Sequence, residues 1–189
     1  ITVQGKVRVI PELDQVDPLI GVPVALVREG KELQRVITEA PDGRYILPNV
    51  PITHNLVISI TLRHEAKTPP TFQVVHQLPE ALGGPVIYAT TRPFTVTAST
   101  PHPSVRNIHF ADRFTDPPRE TGRGIPLDRL DDAAVIYYRT YQAWKLADSM
   151  SQSFDLLLPV DIVAFSNSNG TYWSGPRSND VNPPADAFI

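Results

Sequence analysis

The chain has 189 residues, of which 41% are hydrophobic and 20% are charged, and its formal net charge is -3. This length and apolar content are enough for one large or two small domains. The acidic balance argues against nucleic acid as the main partner, and no apolar run is long enough for a membrane-spanning helix. The absence of cysteine excludes a disulfide framework and a thiolate metal site.

The chain opens in a strand pattern, because Val3, Val7 and Val9 alternate with charged Lys6 and Arg8. It lacks an initiator Met, so we expect a processed or truncated form. A strand at the terminus can also add to the sheet edge of a neighbouring molecule, which would allow self-assembly.

Residues 21–51 predict three strands joined by two turns. The first turn is the charged segment 28–31, and the second is Pro41-Asp42-Gly43, where Gly43 can take positive φ at little steric cost. The side chains that alternate along the three strands are Val22, Val24 and Leu26, then Val36 and Thr38, then Tyr45 and Leu47. A further strand over 56–62 alternates Leu and Ile with smaller residues, and this repeated period of two predicts an antiparallel β-sandwich.

Here the chain resembles the carboxypeptidase regulatory-like (prealbumin-like) domain over residues 4–62. The matching positions are Gly5, Val7, Gly21, Val22, Val24, Thr38, Gly43, Tyr45 and Leu47. The chain has Thr38-Glu39 where the family often has Thr-Asp, and it lacks the usual closing glycine. The resemblance implies a sandwich that serves as an accessory module on secreted proteins and has no active site.

After residue 62 the sequence predicts strands over 71–76, 86–90, 94–99 and 105–111, which complete a sandwich over residues 1–114. Residues 115–127 are rich in Pro, Gly and charge and predict a linker. Residues 128–189 predict a small α/β segment, with one long amphipathic helix, a buried strand over 159–165 and a mostly irregular tail. The fold class is therefore mainly β.

The helix is predicted over 129–150, with Asp128 as its N-cap and with Asp131 and Asp132 near the positive end of its dipole. Its apolar stripe follows the helical spacing, and we interpret the stripe as core rather than as a ligand site. The members of this stripe are Leu130, Ala134, Tyr137, Tyr141 and Trp144.

Residues 127–166 look like the N-terminal lobe of thermolysin-like zinc peptidases, through D-D-A-A-V-I-Y-Y-R-T-Y-Q-A-W and P-V-D-I-V-A-F-S. That family needs H-E-x-x-H to bind zinc and activate water, and the motif is absent from this chain. His64-Glu65 is the only His-Glu pair, with Thr68 where a second His would stand. We therefore expect no enzymatic activity and no cofactor from the chain as it stands.

Two groups of polar residues remain as weak candidates for binding. His102, His109 and Asp112 could converge on a metal, although ordinary surface histidines are the better interpretation. Asn169 begins an N-glycosylation sequon, Asn169-Gly170-Thr171, which fits an exposed loop of a secreted protein. The same loop, together with Asn179, Asp180 and Asp186, offers oxygen ligands for calcium, against the simpler interpretation of a solvated turn.

Three functional hypotheses follow. The preferred one is a noncatalytic extracellular structural or interaction protein, which assembles with copies of itself through strand addition and burial of its C-terminal part, where residues 187–189 are apolar. The alternative is the accessory and N-terminal portion of a secreted zinc peptidase that lacks its catalytic half. A third is carbohydrate binding through Tyr172 and Trp173 on an exposed sandwich face.

Overall fold

The protein is mainly β with one helix, as predicted, and it has two sheets that are rich in antiparallel pairs. This structure is a computed structural model, and it describes residues 1–12, 15–66, 71–76, 86–110, 120–121, 130–150, 160–164 and 172–174.

The first sheet is built around the N-terminal strand β1, Val3–Glu12. Two antiparallel partners are β2, Gln15–Pro18, and β5, Arg44–Leu47. Two parallel partners are β10, Ser104–Val105, and β11, Ile108–Phe110, so the sheet is mixed rather than purely antiparallel. With strands of both kinds beside it, β1 lies in the centre of its sheet and is not an edge strand.

The second sheet contains six strands: β3, Pro23–Arg28; β4, Lys31–Ile37; β6, Thr53–Thr61; β8, Tyr88–Thr90; β9, Phe94–Val96; and β12, Glu120–Thr121. Their order is β12-β8-β6-β3-β4, and β9 also pairs with β6. Strands β3 and β4 meet at a two-residue turn in which Glu29 and Gly30 have φ of 52° and 76°. Two successive positive φ values define the hairpin turn that matches strand twist.

A third, smaller sheet joins the middle of the chain to its C-terminal part. Strand β7, Phe72–His76, pairs in parallel with β13, Val160–Ala164, and β13 pairs antiparallel with β14, Tyr172–Ser174. Strands β2, β12 and β14 are not predicted by the sequence pattern. Strand β12 lies within the predicted linker, most of which is outside the described residues, and β14 lies within the predicted irregular tail.

The core is one cluster that includes residues from both large sheets and from the helix. The helix α1 runs Leu130–Met150, and its buried residues are Leu130, Ala133, Ala134, Tyr137 and Tyr138. The Tyr137 hydroxyl is buried and donates a 2.7 Å hydrogen bond to the carbonyl oxygen of Ile20. The described helix therefore packs on the sandwich, and the N-terminal part of the predicted stripe is core.

Tyr45 lies beside the contact between β1 and the turn that joins β10 to β11. Its buried hydroxyl donates a 2.6 Å hydrogen bond to the Arg106 carbonyl oxygen. A Cβ atom on Gly5 would stand 1.8 Å from the same oxygen, so only glycine fits beneath this contact. Two residues of the sequence motif, Gly5 and Tyr45, thus meet in space.

Candidate functional site

An open groove of about 670 Å³ lies beside helix α1. We call it the aromatic groove, because Tyr141 and Trp144 from the helix form part of its wall. The other side chains along it are mostly aliphatic. Its lining residues are Ile20, Val36, Ile37, Thr38, Glu39, Ala40, Ile46, His64, Ala66, Tyr141 and Trp144.

The wall of the groove is built on His64, which is almost fully buried. Its ring stacks on Phe72 with centroids 5.2 Å apart and planes 6° apart. On the helix side, the His64 ring centroid lies 4.7 Å from that of Trp144 and 5.5 Å from that of Tyr141. Tyr141 and Trp144 are only partly buried, so their rings are anchored on one side and reach the groove on the other.

Sequence dictates this arrangement through a glycine and a threonine. A Cβ atom on Gly21 would lie 2.3 Å from the His64 ring, and Gly21 has a φ of 76° that favours glycine. Nδ1 of His64 lies 3.0 Å from the buried Thr71 hydroxyl, in hydrogen-bonding contact. Gly21 thus leaves space for the ring, and Thr71 orients it.

The tyrosines near the groove are held in their neutral form. Burial raises the pKa of Tyr137 well above its usual value, and the charges of Tyr141 and Glu65 add to this effect. Burial also raises the pKa of Tyr141. Tyr141 therefore presents an uncharged ring to the groove at any physiological pH, while Tyr137 lies in the core and does not line the groove.

A hydroxyl beside an imidazole is also a feature of nucleophilic catalysis, in which the imidazole removes the hydroxyl proton. Here Thr71 is 1% exposed and does not line the groove, so a substrate in the groove would not touch its hydroxyl. What the described lining offers chemically is apolar contact, ring faces and one carboxylate, that of Glu39. These groups are suited to binding.

The predicted metal candidates are separated or lie outside the described residues. His102 accepts a 3.1 Å hydrogen bond from the Thr2 amide through Nδ1. His109 lies on β11 opposite Arg8, and burial, followed by the Arg8 charge, lowers its pKa. Asp112 is outside the described part of the chain, within which no group of three or more His, Cys, Asp or Glu residues is placed to hold a metal ion.

The other predicted sites are not tested by the structure. Asn169 with its sequon, the calcium candidates Asn179, Asp180 and Asp186, and residues 187–189 all lie outside the described residues. Tyr172 and Trp173 fall on β14, and only their strand pairing is described. They stay predictions.

Comparison with known proteins leaves the function open. No protein-family model, curated protein or solved structure matches this chain. No helix within the described ranges is long and apolar enough to cross a membrane. Both family resemblances stay predictions.

The sequence pattern predicts that Tyr141 and Trp144 lie on an apolar stripe, but it does not predict the groove that they line. In the sequence His64 stands out as half of a His-Glu pair, and Glu39 as a departure from a family pattern. Five separate stretches of chain build the groove, and nothing in the local sequence signals that they converge. The signal in the sequence that could have indicated the groove was the C-terminal end of the apolar stripe. The large rings of Tyr141 and Trp144 at this end make the stripe wider than a narrow core contact requires.

Proposed function

We propose that the protein is a noncatalytic interaction protein of the extracellular space, which binds an extended apolar segment of a partner protein in the aromatic groove. The observation that carries the proposal is the groove itself, with its mostly apolar lining and its volume of about 670 Å³. Covering such a surface removes apolar area from water, which is favourable. The extracellular location rests on the family resemblance and the Asn169 sequon.

A chain segment is a better occupant than a compact small molecule. Small-molecule sites usually enclose most of the ligand, whereas this groove is open to solvent. The partly buried Tyr141 and Trp144 are large rings of restricted freedom, and aromatic anchors of this kind dominate the energy of protein interfaces. A few adjacent side chains of an extended segment would cover both rings at once.

Self-assembly by strand addition has less support than groove binding. Strand β1, which we predicted as the donor, already has partners on both of its edges. Strand β4 pairs only with β3 among the described strands, but it carries Lys31, Glu32 and Arg35. Charges on an edge strand oppose pairing with another edge. A second copy of the chain is therefore an alternative occupant of the groove, which the experiment below distinguishes from a partner segment.

Selection of a random-peptide display library on the whole chain tests the proposal. Recovered peptides should bind the wild type and the variant Leu146→Ala equally, because Leu146 is exposed on the same helix but does not line the groove. They should bind Trp144→Ala about thirtyfold more weakly, as expected for loss of an aromatic anchor. Ile46→Ser, at an exposed lining residue on strand β5, should also weaken binding and guards against a folding defect in Trp144→Ala.

The outcome that counts against the proposal is a library that yields no peptide whose binding depends on Trp144 and Ile46. Size-exclusion chromatography over a concentration range separates the occupants. An oligomer that dissociates in Trp144→Ala but not in Leu146→Ala would identify a second copy as the occupant, instead of a partner segment.

A second candidate function is the accessory and N-terminal portion of a secreted zinc peptidase. The observation that favours it is helix α1, which contacts β7 of the parallel β7–β13 pair and forms an α/β unit with it. The test is to read the coding sequence beyond Ile189. An H-E-x-x-H motif in the same reading frame would support this candidate, and a stop codon before any such motif would remove it.

A further inference from the structure

The aromatic groove contains one exposed carboxylate, that of Glu39. Glu39 follows strand β4 and stands between Thr38 and Ala40, which line the groove with it. Its side chain is exposed, and within the described ranges it forms no ion pair and no hydrogen bond. A charge placed in this way at the rim of an apolar surface is available to an incoming ligand.

The cations nearest in the fold are committed to other partners. Glu39 bridges to Arg44 only through the backbone, and Glu65, beside the lining residue His64, is already paired with two arginines. Arg35 pairs with Glu32 and Glu65, Arg63 pairs with Glu65, and Lys6 pairs with Asp42. Arg44 is hydrogen-bonded to the neutral Gln4 and keeps its charge, but it does not line the groove. Among the described lining residues Glu39 is the one Asp, Glu, Lys or Arg, so the charge of the lining itself is negative.

We infer, resting on the proposed function, that the bound segment carries a Lys or Arg beside its apolar anchor and that this cation pairs with Glu39. The long stem of Lys or Arg can cover apolar surface while its charged end stays at the rim in water. The faces of Tyr141 and Trp144 also attract a cation. A segment with Asp or Glu at the same point would instead meet a like charge and a negative ring face.

The experiment uses peptides from the display selection and asks two questions of them. The first is whether Lys or Arg is enriched at one position relative to the unselected library. The second is a double-mutant cycle between that position, changed to Gln in a synthetic peptide, and Glu39→Gln in the protein. Glu29→Gln is the matched control, because it removes the same charge at the β3–β4 turn, outside the groove lining.

We expect each single change to weaken binding about fivefold, the upper end for an exposed ion pair. The double change should cost no more than either single change, and Glu29→Gln should cost nothing. Added salt should weaken the wild-type pair and leave the double variant nearly unchanged.

The results distinguish this inference from the proposed function. Peptides that depend on Trp144, but show no basic enrichment and no coupling to Glu39, would overturn the inference and leave the groove as a binding site. Enrichment of Asp or Glu would overturn it as well. A library without any Trp144-dependent peptide would overturn both proposals together.

Discussion

The interior around Tyr45 and the groove around Trp144 each contain an aromatic ring that packs on the sandwich, but they differ in what covers the ring. Tyr45 is buried, and its hydroxyl donates a hydrogen bond to the Arg106 carbonyl oxygen. The backbone beside it is packed so closely that a Cβ atom on Gly5 would not fit. The Trp144 ring is tilted against the His64 ring, is only partly buried, and lines the open groove. The difference indicates that the first region determines the fold and that the second is available for binding.

The largest effect that we predict is at Gly5. Gly5→Ala would place Cβ 1.8 Å from the Arg106 carbonyl oxygen and 2.6 Å from its carbon, both backbone atoms that cannot rotate away. We expect loss of about 4 kcal/mol or more of unfolding free energy, or no folded protein, measured by urea unfolding.

Gly30→Ala is the control for this first prediction. A Cβ on Gly30 meets nothing within 4 Å, but the φ of 76° is strained for alanine. The expected cost is about 1–2 kcal/mol, from backbone strain alone. Equal losses of unfolding free energy in the two variants would show that Gly5 is not a close-packed position. The contrast between the closed interior and the open groove would then lose its main support.

Tyr137→Ala tests whether the helix belongs to the closed interior. Tyr137 is fully buried and bonded to Ile20 across the helix–sandwich contact. Removal of the ring should cost about 3–5 kcal/mol, as for other large-to-small changes in a core. Far-ultraviolet circular dichroism and tryptophan fluorescence should show one shared transition at a lower urea concentration. Two separate transitions would mean that the helix unfolds independently of the sandwich.

Tyr45→Phe sharpens the comparison by removing one hydroxyl. The change leaves the Arg106 carbonyl without its donor in a buried place, and we expect a loss of about 1–2 kcal/mol in urea unfolding at neutral pH. The same change in Tyr141, whose ring is partly exposed, should have a smaller effect. A larger loss from Tyr141→Phe would contradict the assignment of Tyr45 to the interior.

The pH dependence of stability provides an independent measure of the same contact. Burial raises the pKa of Tyr45, while the phenol of an unfolded chain ionises near pH 10. Above about pH 10 the folded state then binds more protons than the unfolded state, so the stability falls as pH rises. The slope approaches about 1.4 kcal/mol per pH unit for each such tyrosine. Tyr45→Phe should make this decline less steep, and an unchanged slope would mean that Tyr45 ionises normally.

The strands that the sequence predicted correctly are those with alternating side chains and clear turns. The hairpin of β3 and β4 and the strand β6 have both features, and helix α1 has its helical stripe. Strand β2, Gln15–Pro18, has no apolar alternation and exists because β1 pairs with it. The parallel pairing of β1 with β11 joins residues about a hundred positions apart, and no local pattern encodes such a choice.

The groove was harder to predict than the fold, because its residues serve different local purposes. Gly21 belongs to a strand motif, yet its missing side chain makes room for the His64 ring. Thr38 accepts a hydrogen bond from the Val22 amide and is structural, while Glu39 beside it is free of such a role. Local spacing does not separate these two neighbours, since the difference between them depends on the bond that Thr38 forms with Val22, sixteen positions away.

Glu39→Gln is the smallest effect that we predict on stability, and it tests the comparison from the side of the groove. Glu39 is exposed and has no side-chain partner within the described ranges, so its change should alter the free energy of unfolding by less than about 0.5 kcal/mol. Differential scanning calorimetry with the wild type alongside measures this. A clear destabilisation would mean that Glu39 contributes to the stability of the fold. The groove and the interior would then no longer differ in their contribution to stability. A neutral result, beside a loss of peptide binding, would assign this carboxylate to recognition.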